Sequence, residues 1–153
     1  MSIEAVKEFF AAHAPDVAIL EHHLSTATVA LAAAALGVEE GQIAKTLALR
    51  LGEQPALLVA AGNARLDNQK TKAAFGSKCK MLSADETFDL TGHRVGGVCP
   101  FGLPAPVPIY CDISLQQYAE VFPAAGSSNS AVQLSPERLA QLVKATWVDV
   151  CRS

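Results

Sequence analysis

The stretch Gly96-Gly97-Val98-Cys99-Pro100-Phe101-Gly102 constrains the fold more than any other part of this sequence. Its glycines allow positive φ angles and close backbone approach, whereas Pro100 fixes its own φ and keeps Cys99 extended. Such a run fits neither a helix nor a central strand. It predicts a shaped loop whose backbone N–H groups face a small anionic or carbonyl-bearing ligand. A tight connection between two elements is the alternative, because glycine and proline commonly punctuate loops.

Length and composition indicate one globular domain over residues 1–153. Half of the residues are hydrophobic and 18% are charged, which excludes a disordered chain. The net charge of −3 argues against non-specific coating of nucleic acid, so we expect no DNA partner, although contact with one RNA end stays possible. No run reaches the ~20 apolar residues of a membrane span, and the acidic, amphipathic start is unlike a signal peptide. We therefore expect a cytoplasmic protein without a membrane partner.

The residues that commonly bind metals are spaced unfavourably for a metal site. The cysteines are Cys79, Cys99, Cys111 and Cys151. None forms a C-x-x-C pair, and no histidine stands at zinc-finger spacing from them. His22 and His23 are adjacent, so on a strand they point to opposite faces. The sequence predicts free thiols, no metal and no cofactor.

Local patterns alternate between helix and short strand. Ser2 is a candidate cap for a first helix, Ser25 or Thr26 for a second, and Asp67 for a third. Ser83 to Glu86 forms a capping box, and Ser135-Pro136 is a strong helix start. Apolar strand candidates lie at 17–20, 43–51, 56–61, 107–113, 131–134 and 147–150. Together these elements predict an α+β domain with one mixed, barrel-like sheet and surrounding helices.

Lys45 is unusual within its predicted strand. Alternation puts it on one face with Ile43, Leu47, Leu49 and Leu51, where it is the single charge. Because burial of an unpaired ammonium is costly, this lysine must reach a ligand, a partner or solvent. Either a functional role or a lysine extending to solvent at the strand end accounts for the pattern.

Basic residues concentrate between positions 65 and 80. The members are Arg65, Lys70, Lys72, Lys78 and Lys80, and Asp67 alone opposes them. This stretch is the best candidate in the sequence for a surface that contacts nucleic acid, here tRNA. A solvated helix face is the alternative.

Four stretches in order resemble the YbaK family, the free-standing relatives of the editing domain of bacterial prolyl-tRNA synthetase. They are Ile43-Ala44-Lys45-Thr46-Leu47, Ala61-Gly62-Asn63-Ala64-Arg65-Leu66-Asp67, the Gly96–Gly102 stretch, and Ala125-Gly126-Ser127-Ser128-Asn129. No single stretch is diagnostic, but the ordered set is specific and covers nearly the whole chain. The resemblance implies a barrel-like mixed fold and hydrolysis of the ester between a wrong amino acid and tRNA.

The resemblance also implies roles for particular residues. Lys45 matches the active-site lysine of the family, and the Gly96–Gly102 loop, with Cys99, Pro100 and Phe101, matches the loop at the reacting end. The loop of Gly126, Ser127, Ser128 and Asn129 matches part of the pocket, and Thr26 borders it. Because Ser-Ser-Asn replaces the Gly-Lys or Gly-Arg of many relatives, the resemblance favours a small substrate amino acid such as Ser, Thr or Ala. Cys is a further candidate, and tRNA-Pro is a candidate carrier.

These residues permit a mechanism that needs no covalent intermediate. Lys45 would hold the terminal phosphate or ribose of a mischarged tRNA acceptor end. Backbone N–H groups of Gly96, Gly97 and Gly102 would polarise the ester carbonyl, and substrate groups would activate water. An aminoacyl-tRNA synthetase is a further candidate partner, since it could supply the tRNA specificity.

Two other functions compete with this prediction. Cys99 could be the nucleophile of a thiol hydrolase or the thiol of a redox protein, but the sequence identifies no partner histidine, since His93 is near in the chain and need not face it. Alternatively, the chain could be a non-catalytic module that binds an aminoacyl group, a nucleotide or a tRNA end.

Overall fold

The computed structural model describes residues 2–152. Its α-helices are α1 (Ser2–His13), α2 (Val29–Leu36), α3 (Asn68–Phe75), α4 (Ala84–Thr91) and α5 (Pro136–Val143). Its strands are β1 (Ile19–Glu21), β2 (Ile43–Leu51), β3 (Gln54–Ala61), β4 (Arg65–Leu66), β5 (Cys79–Met81), β6 (Ile109–Asp112), β7 (Phe122–Pro123), β8 (Ser130–Val132), β9 (Thr146–Val148) and β10 (Cys151–Arg152). Short 3-10 helices occupy Glu40–Gln42 and Ile113–Gln117.

The main sheet is mixed and has the order β5-β2-β3-β6-β9, with β7 added in parallel to β2. The β2–β3 hairpin and the β2–β5 pair are antiparallel, whereas β3–β6 and β6–β9 are parallel. Two small antiparallel pairs, β1–β8 and β4–β10, lie outside it. This confirms the predicted α+β class with a mixed sheet. Over residues 2–152 the sheet stays open and does not close into a barrel.

Helix ends follow the predicted caps with two exceptions. Ser2, predicted as the cap of the first helix, is the first residue of α1, and its hydroxyl contacts His93. Asp67, Ser83 and Ser135 each accept a backbone N–H bond at the start of their helices, as the sequence predicted. The cap of α2, however, is Thr28, whose side chain accepts the Leu31 N–H. Thr26 is not used as a cap, and its Oγ1 donates instead to the Ser130 carbonyl oxygen at 3.5 Å.

Strand β2 lies between two clusters of buried side chains. Ala44 and Ala48 belong to the larger cluster, which also contains residues of α1 and α5. Leu47, Leu49 and Leu51 pack with the smaller cluster on the other face. The predicted alternation along β2 is therefore confirmed. It fixes the neighbours Lys45 and Thr46 on opposite faces of the strand.

Candidate functional site

A cavity of about 120 Å³ lies where the start of β2 meets the start of α2. It brings together Thr26, Lys45 and Gly96, three of the predicted site residues, from distant parts of the chain. The other lining residues are Ala27, Thr28, Val29, Ala32, Ile43, Ala44, Thr46, Val98, Phe122, Ala124, Ser130 and Ala131. Most of these side chains are small or apolar, and a few hydroxyls provide the polar groups.

The ammonium of Lys45 is held by backbone carbonyls at the edge of this cavity. Its Nζ donates to the carbonyl oxygen of Ala64 at 2.5 Å and to that of Gly62 at 3.3 Å. Because a lysine ammonium has three N–H donors, one remains for a ligand. Partial burial is the largest cause and lowers the pKa of Lys45, Cys151 opposes this shift in part, and Arg65 has the smallest effect and lowers the pKa further. The structure thus presents a partly desolvated, oriented cation.

Thr46 is a cavity-lining residue that the sequence analysis did not select. Its Oγ1 is buried and has no hydrogen-bond partner among residues 2–152. A buried hydroxyl without a partner costs about 1–3 kcal/mol, so its presence beside a cavity indicates a place for a polar ligand group. The signal in the sequence was the alternation of β2, which sets Thr46 apart from its leucine neighbours.

The predicted pocket loop, Gly126 to Asn129, does not line the small cavity, but it forms hydrogen bonds to residues that do. The Thr26 N–H donates to the Ser128 carbonyl oxygen at 2.6 Å, and Ser127 Oγ lies 2.6 Å from Ser130 Oγ. Asn129 Nδ2 donates to the His22 carbonyl oxygen at 2.8 Å. Thr26 and Ser130 line the cavity themselves. The loop residues therefore position this wall, and its first three, 126–128, line a separate cavity of about 810 Å³.

The three glycines predicted as oxyanion donors have different surroundings. Gly96 lines the small cavity, and a Cβ there would lie 3.2 Å from that of Ala27. The Gly97 N–H already donates to the Arg94 carbonyl oxygen at 3.0 Å. A Cβ on Gly102 would lie 2.7 Å from the backbone of Ala5 in α1. Of the three, Gly96 alone lines the small cavity, whereas Gly97 and Gly102 allow backbone segments to pack closely.

Cys99, Pro100 and Phe101 are buried and do not line the small cavity. His93, which is fully buried, lies with its Nε2 2.7 Å from the Phe101 carbonyl oxygen and 3.4 Å from Cys99 Sγ, and it also contacts the Ser2 hydroxyl. The thiol has no exposed surface, and its burial raises the pKa of Cys99 to about 12. A thiolate nucleophile at neutral pH is therefore not available, which counts against the Cys99-dependent hydrolase.

The predicted basic stretch is divided in space. Lys70 Nζ is occupied by Asp149 and by the Cys151 carbonyl oxygen, each at 3.0 Å. Lys80 on β5 pairs with Arg50 of β2. Arg50 is five residues from Lys45, so at about 3.3 Å per residue the two positions lie roughly 17 Å apart along the strand. Lys78 is beside Lys80, and Lys72 is exposed on α3. Arg65 lies next to Ala64, and therefore next to the carbonyl that holds Lys45.

Within residues 2–152, no group of three or more His, Cys, Asp or Glu side chains is arranged to hold a metal ion. In the same residues, no helix combines the length and the apolar character needed to cross a membrane.

The family model of the aminoacyl-tRNA editing domain matches residues 23–142. The chain belongs to this family. Its enzyme class is aminoacyl-tRNA deacylase. The matched region contains every residue that lines the small cavity. The resemblance found in the ordered motifs is thus confirmed.

Individual relatives agree with the family assignment. An uncharacterized protein of Bacillus subtilis, YwhH, is 44% identical and aligns with 99% of this chain and 98% of its own. The crystal structure of a candidate trans-editing enzyme for prolyl tRNA synthetase superposes with a TM-score of 0.90 at 30% identity, over 99% of this chain and 97% of that one. The proline–tRNA ligase of Streptococcus sanguinis is 28% identical over 80% of this chain, which spans 20% of the ligase.

Proposed function

We propose that this protein is a trans-editing hydrolase that removes a small amino acid from mischarged tRNA. The observation that carries the proposal is the small cavity with the Lys45 ammonium at its edge and Gly96 in its wall. The candidate substrates are tRNAs charged with Ser, Thr, Ala or Cys. Such an enzyme acts where charged tRNA is used, which is consistent with a cytoplasmic location.

The size of the cavity supports a small substrate side chain. A cavity of about 150 Å³ is large enough to admit benzene, so about 120 Å³ suits a short aliphatic or hydroxyl-bearing side chain and disfavours an aromatic one. Thr46 Oγ1 and Thr26 Oγ1 offer polar partners beside it. A site that bonds a substrate hydroxyl or amine rejects analogues that lack the group, because its own polar atom is then left unpaired.

The chemistry we propose is direct attack of water on the aminoacyl ester. The remaining N–H donor of Lys45 would bind the terminal ribose or phosphate and hold the ester at the cavity mouth. The backbone of Gly96 would face the carbonyl oxygen, where one well-placed donor contributes about 3 kcal/mol to transition-state binding. The attacking water would lose its proton to a substrate group, such as the free ribose hydroxyl or the α-amine.

The descriptions of the relatives support tRNA-Pro as the tRNA that carries the wrong amino acid. The chain aligns with proline–tRNA ligases, of which it spans only 14–20%, and with the crystal structure of a candidate trans-editing enzyme for prolyl tRNA synthetase. We infer that this domain acts in trans on the acceptor end of tRNA-Pro. The synthetase itself is a candidate partner for delivery of the tRNA.

The experiment is a deacylation panel. Labelled Ala, Cys, Ser, Thr and Pro are loaded on tRNA-Pro and on a second tRNA, and release is followed for wild type, Lys45→Ala and the exposed α1 variant Lys7→Ala. We expect selective release of one small amino acid, its loss in Lys45→Ala and its retention in Lys7→Ala. Absence of release from every charged tRNA, by protein that is folded, would overturn the proposal.

A further inference from the structure

We propose that Arg65 and Arg152 form a pair that binds backbone phosphates of the tRNA acceptor end beside Lys45. This inference rests on the proposed function and adds a residue, Arg152, that lies far from the basic stretch in sequence. The pair consists of the two arginines of the β4–β10 ribbon, and it concentrates positive charge on a chain whose net charge is −3.

The ribbon places the two side chains face to face. Strands β4 and β10 pair antiparallel, with Arg152 directly opposite Arg65 and Cys151 opposite Leu66. Directly opposed residues have Cβ atoms about 4.5–5.5 Å apart, and like charges in that position repel each other. Both arginines are exposed, and no ion pair among residues 2–152 includes either of them. An anion between the guanidinium groups would relieve this repulsion.

The location of the pair follows the expected path of the substrate. Arg65 directly follows Ala64, whose carbonyl oxygen holds Lys45 Nζ, and its charge is close enough to lower the pKa of that lysine. Arg152 lines an adjoining groove of about 550 Å³ together with Asn63 and Ala64. A tRNA end with its aminoacyl group in the small cavity would therefore bring its next phosphates to this ribbon.

The other charged groups around this groove already have partners. Asp149 is paired with Lys70. Asp112 is buried and accepts the backbone N–H groups of Ser114 and Val150. The exposed arginines therefore remain as the groups that can bind an incoming anion. Their forked guanidinium groups match phosphate oxygens better than a lysine does, which favours RNA phosphate as the occupant.

The test compares Arg65→Gln, Arg152→Gln and the double variant with the control Lys7→Gln, which removes one positive charge from an exposed lysine of α1 that pairs with Glu21. Binding of uncharged tRNA-Pro is titrated at 50 and 200 mM salt. Each lost phosphate contact lowers the salt slope by about 0.7–0.9, so over this fourfold range the wild type should lose about 7- to 12-fold more affinity than the double variant. Lys7→Gln should retain the wild-type slope.

A second substrate separates this inference from the proposed function. Aminoacylated adenosine carries the ester but no phosphate, so the arginine variants should hydrolyse it at the wild-type rate and lose activity only on charged tRNA. If wild type cleaves neither substrate, the proposed function fails. If wild type cleaves charged tRNA and the double variant binds and cleaves it equally well, with an unchanged salt slope, the phosphate-binding pair is overturned. Thermal melting confirms folding, and the free double variant should melt no lower than wild type.

Discussion

The ammonium of Lys45 lies 2.5 Å from the carbonyl oxygen of Ala64, a contact between the first long strand and the loop that follows its hairpin partner. This contact orients the lysine at the cavity edge while a third N–H stays unassigned. It also connects the cavity with the arginine ribbon, because Arg65 is the next residue in the chain. The predictions below follow from this arrangement and from the packing around it.

Lys45→Ala should lower kcat/KM on mischarged tRNA by on the order of 100-fold, since the ester would no longer be held in place. Burial lowers the pKa of Lys45, so if the ammonium form is required, activity should decline with rising pH before the ordinary lysine value of 10.5 is reached. Lys45→Arg should move that decline to higher pH. Steady-state kinetics from pH 6 to 10 on both variants would measure these effects, and an unchanged rate for Lys45→Ala would exclude the lysine from the mechanism.

Thr46→Val should stabilise the free protein and impair the enzyme. The substitution preserves shape and removes a buried hydroxyl without a partner, which costs about 1–3 kcal/mol when left unsatisfied. We expect the free energy of unfolding to rise by about 1 kcal/mol in chemical denaturation, with a simultaneous fall in kcat/KM. Thr46→Ser, which retains the hydroxyl, is the matched control. Destabilisation by valine would show that the hydroxyl has a partner within the protein.

Gly97→Ala should disrupt the contact between the two glycine-containing loops. A Cβ at this position would lie 2.7 Å from the Ser127 nitrogen and 2.8 Å from the Gly126 carbonyl carbon, and neither backbone atom can move cheaply. We expect a loss of about 1–3 kcal/mol in unfolding free energy together with reduced activity. Gly37→Ala is the control, because at this C-cap of α2 the positive φ costs about 1–2 kcal/mol while the added Cβ meets nothing within 4 Å. Equal activity in both variants would contradict a role for this contact in the site.

His93 should make stability depend on pH below neutrality. Burial is the main cause that lowers the pKa of its imidazole, although the hydrogen bond to the Phe101 carbonyl raises it in part. Between the ordinary value of 6.5 and the lowered native value, the unfolded chain binds a proton that the native chain does not. The contribution of neutral His93 is therefore complete above pH 6.5 and is lost as the pH falls toward the native pKa.

The corresponding measurement is chemical denaturation of wild type and His93→Gln between pH 7.5 and 5.5. The wild type should lose up to about 1.4 kcal/mol per pH unit more than the variant in the lower half of this range. Parallel stability profiles would show that the imidazole takes up protons alike in the folded and unfolded chain.

Local features of the fold were predictable from the sequence because they depend on neighbouring residues. The caps at Asp67, Ser83 and Ser135 each need one side chain within three positions of a free N–H. The alternation of β2 separates Lys45 from Thr46 through the geometry of a strand alone. The ordered motifs also led to the correct family. The α2 cap was misassigned because Ser25, Thr26 and Thr28 are chemically equivalent as caps in sequence.

Only the tertiary structure decided which residues form the cavity and which lie behind it. Burial of Cys99, the close packing of Gly102 on Ala5 and the missing partner of Thr46 all depend on segments distant in the chain. The basic residues between positions 65 and 80 are close in sequence, yet Lys80 pairs with the end of β2 that is far from Lys45. Arg152, which is distant in sequence, lies opposite Arg65. Sequence patterns specify the face and ends of each element, whereas the register between distant strands determines which side chains meet, and no local pattern contains that information.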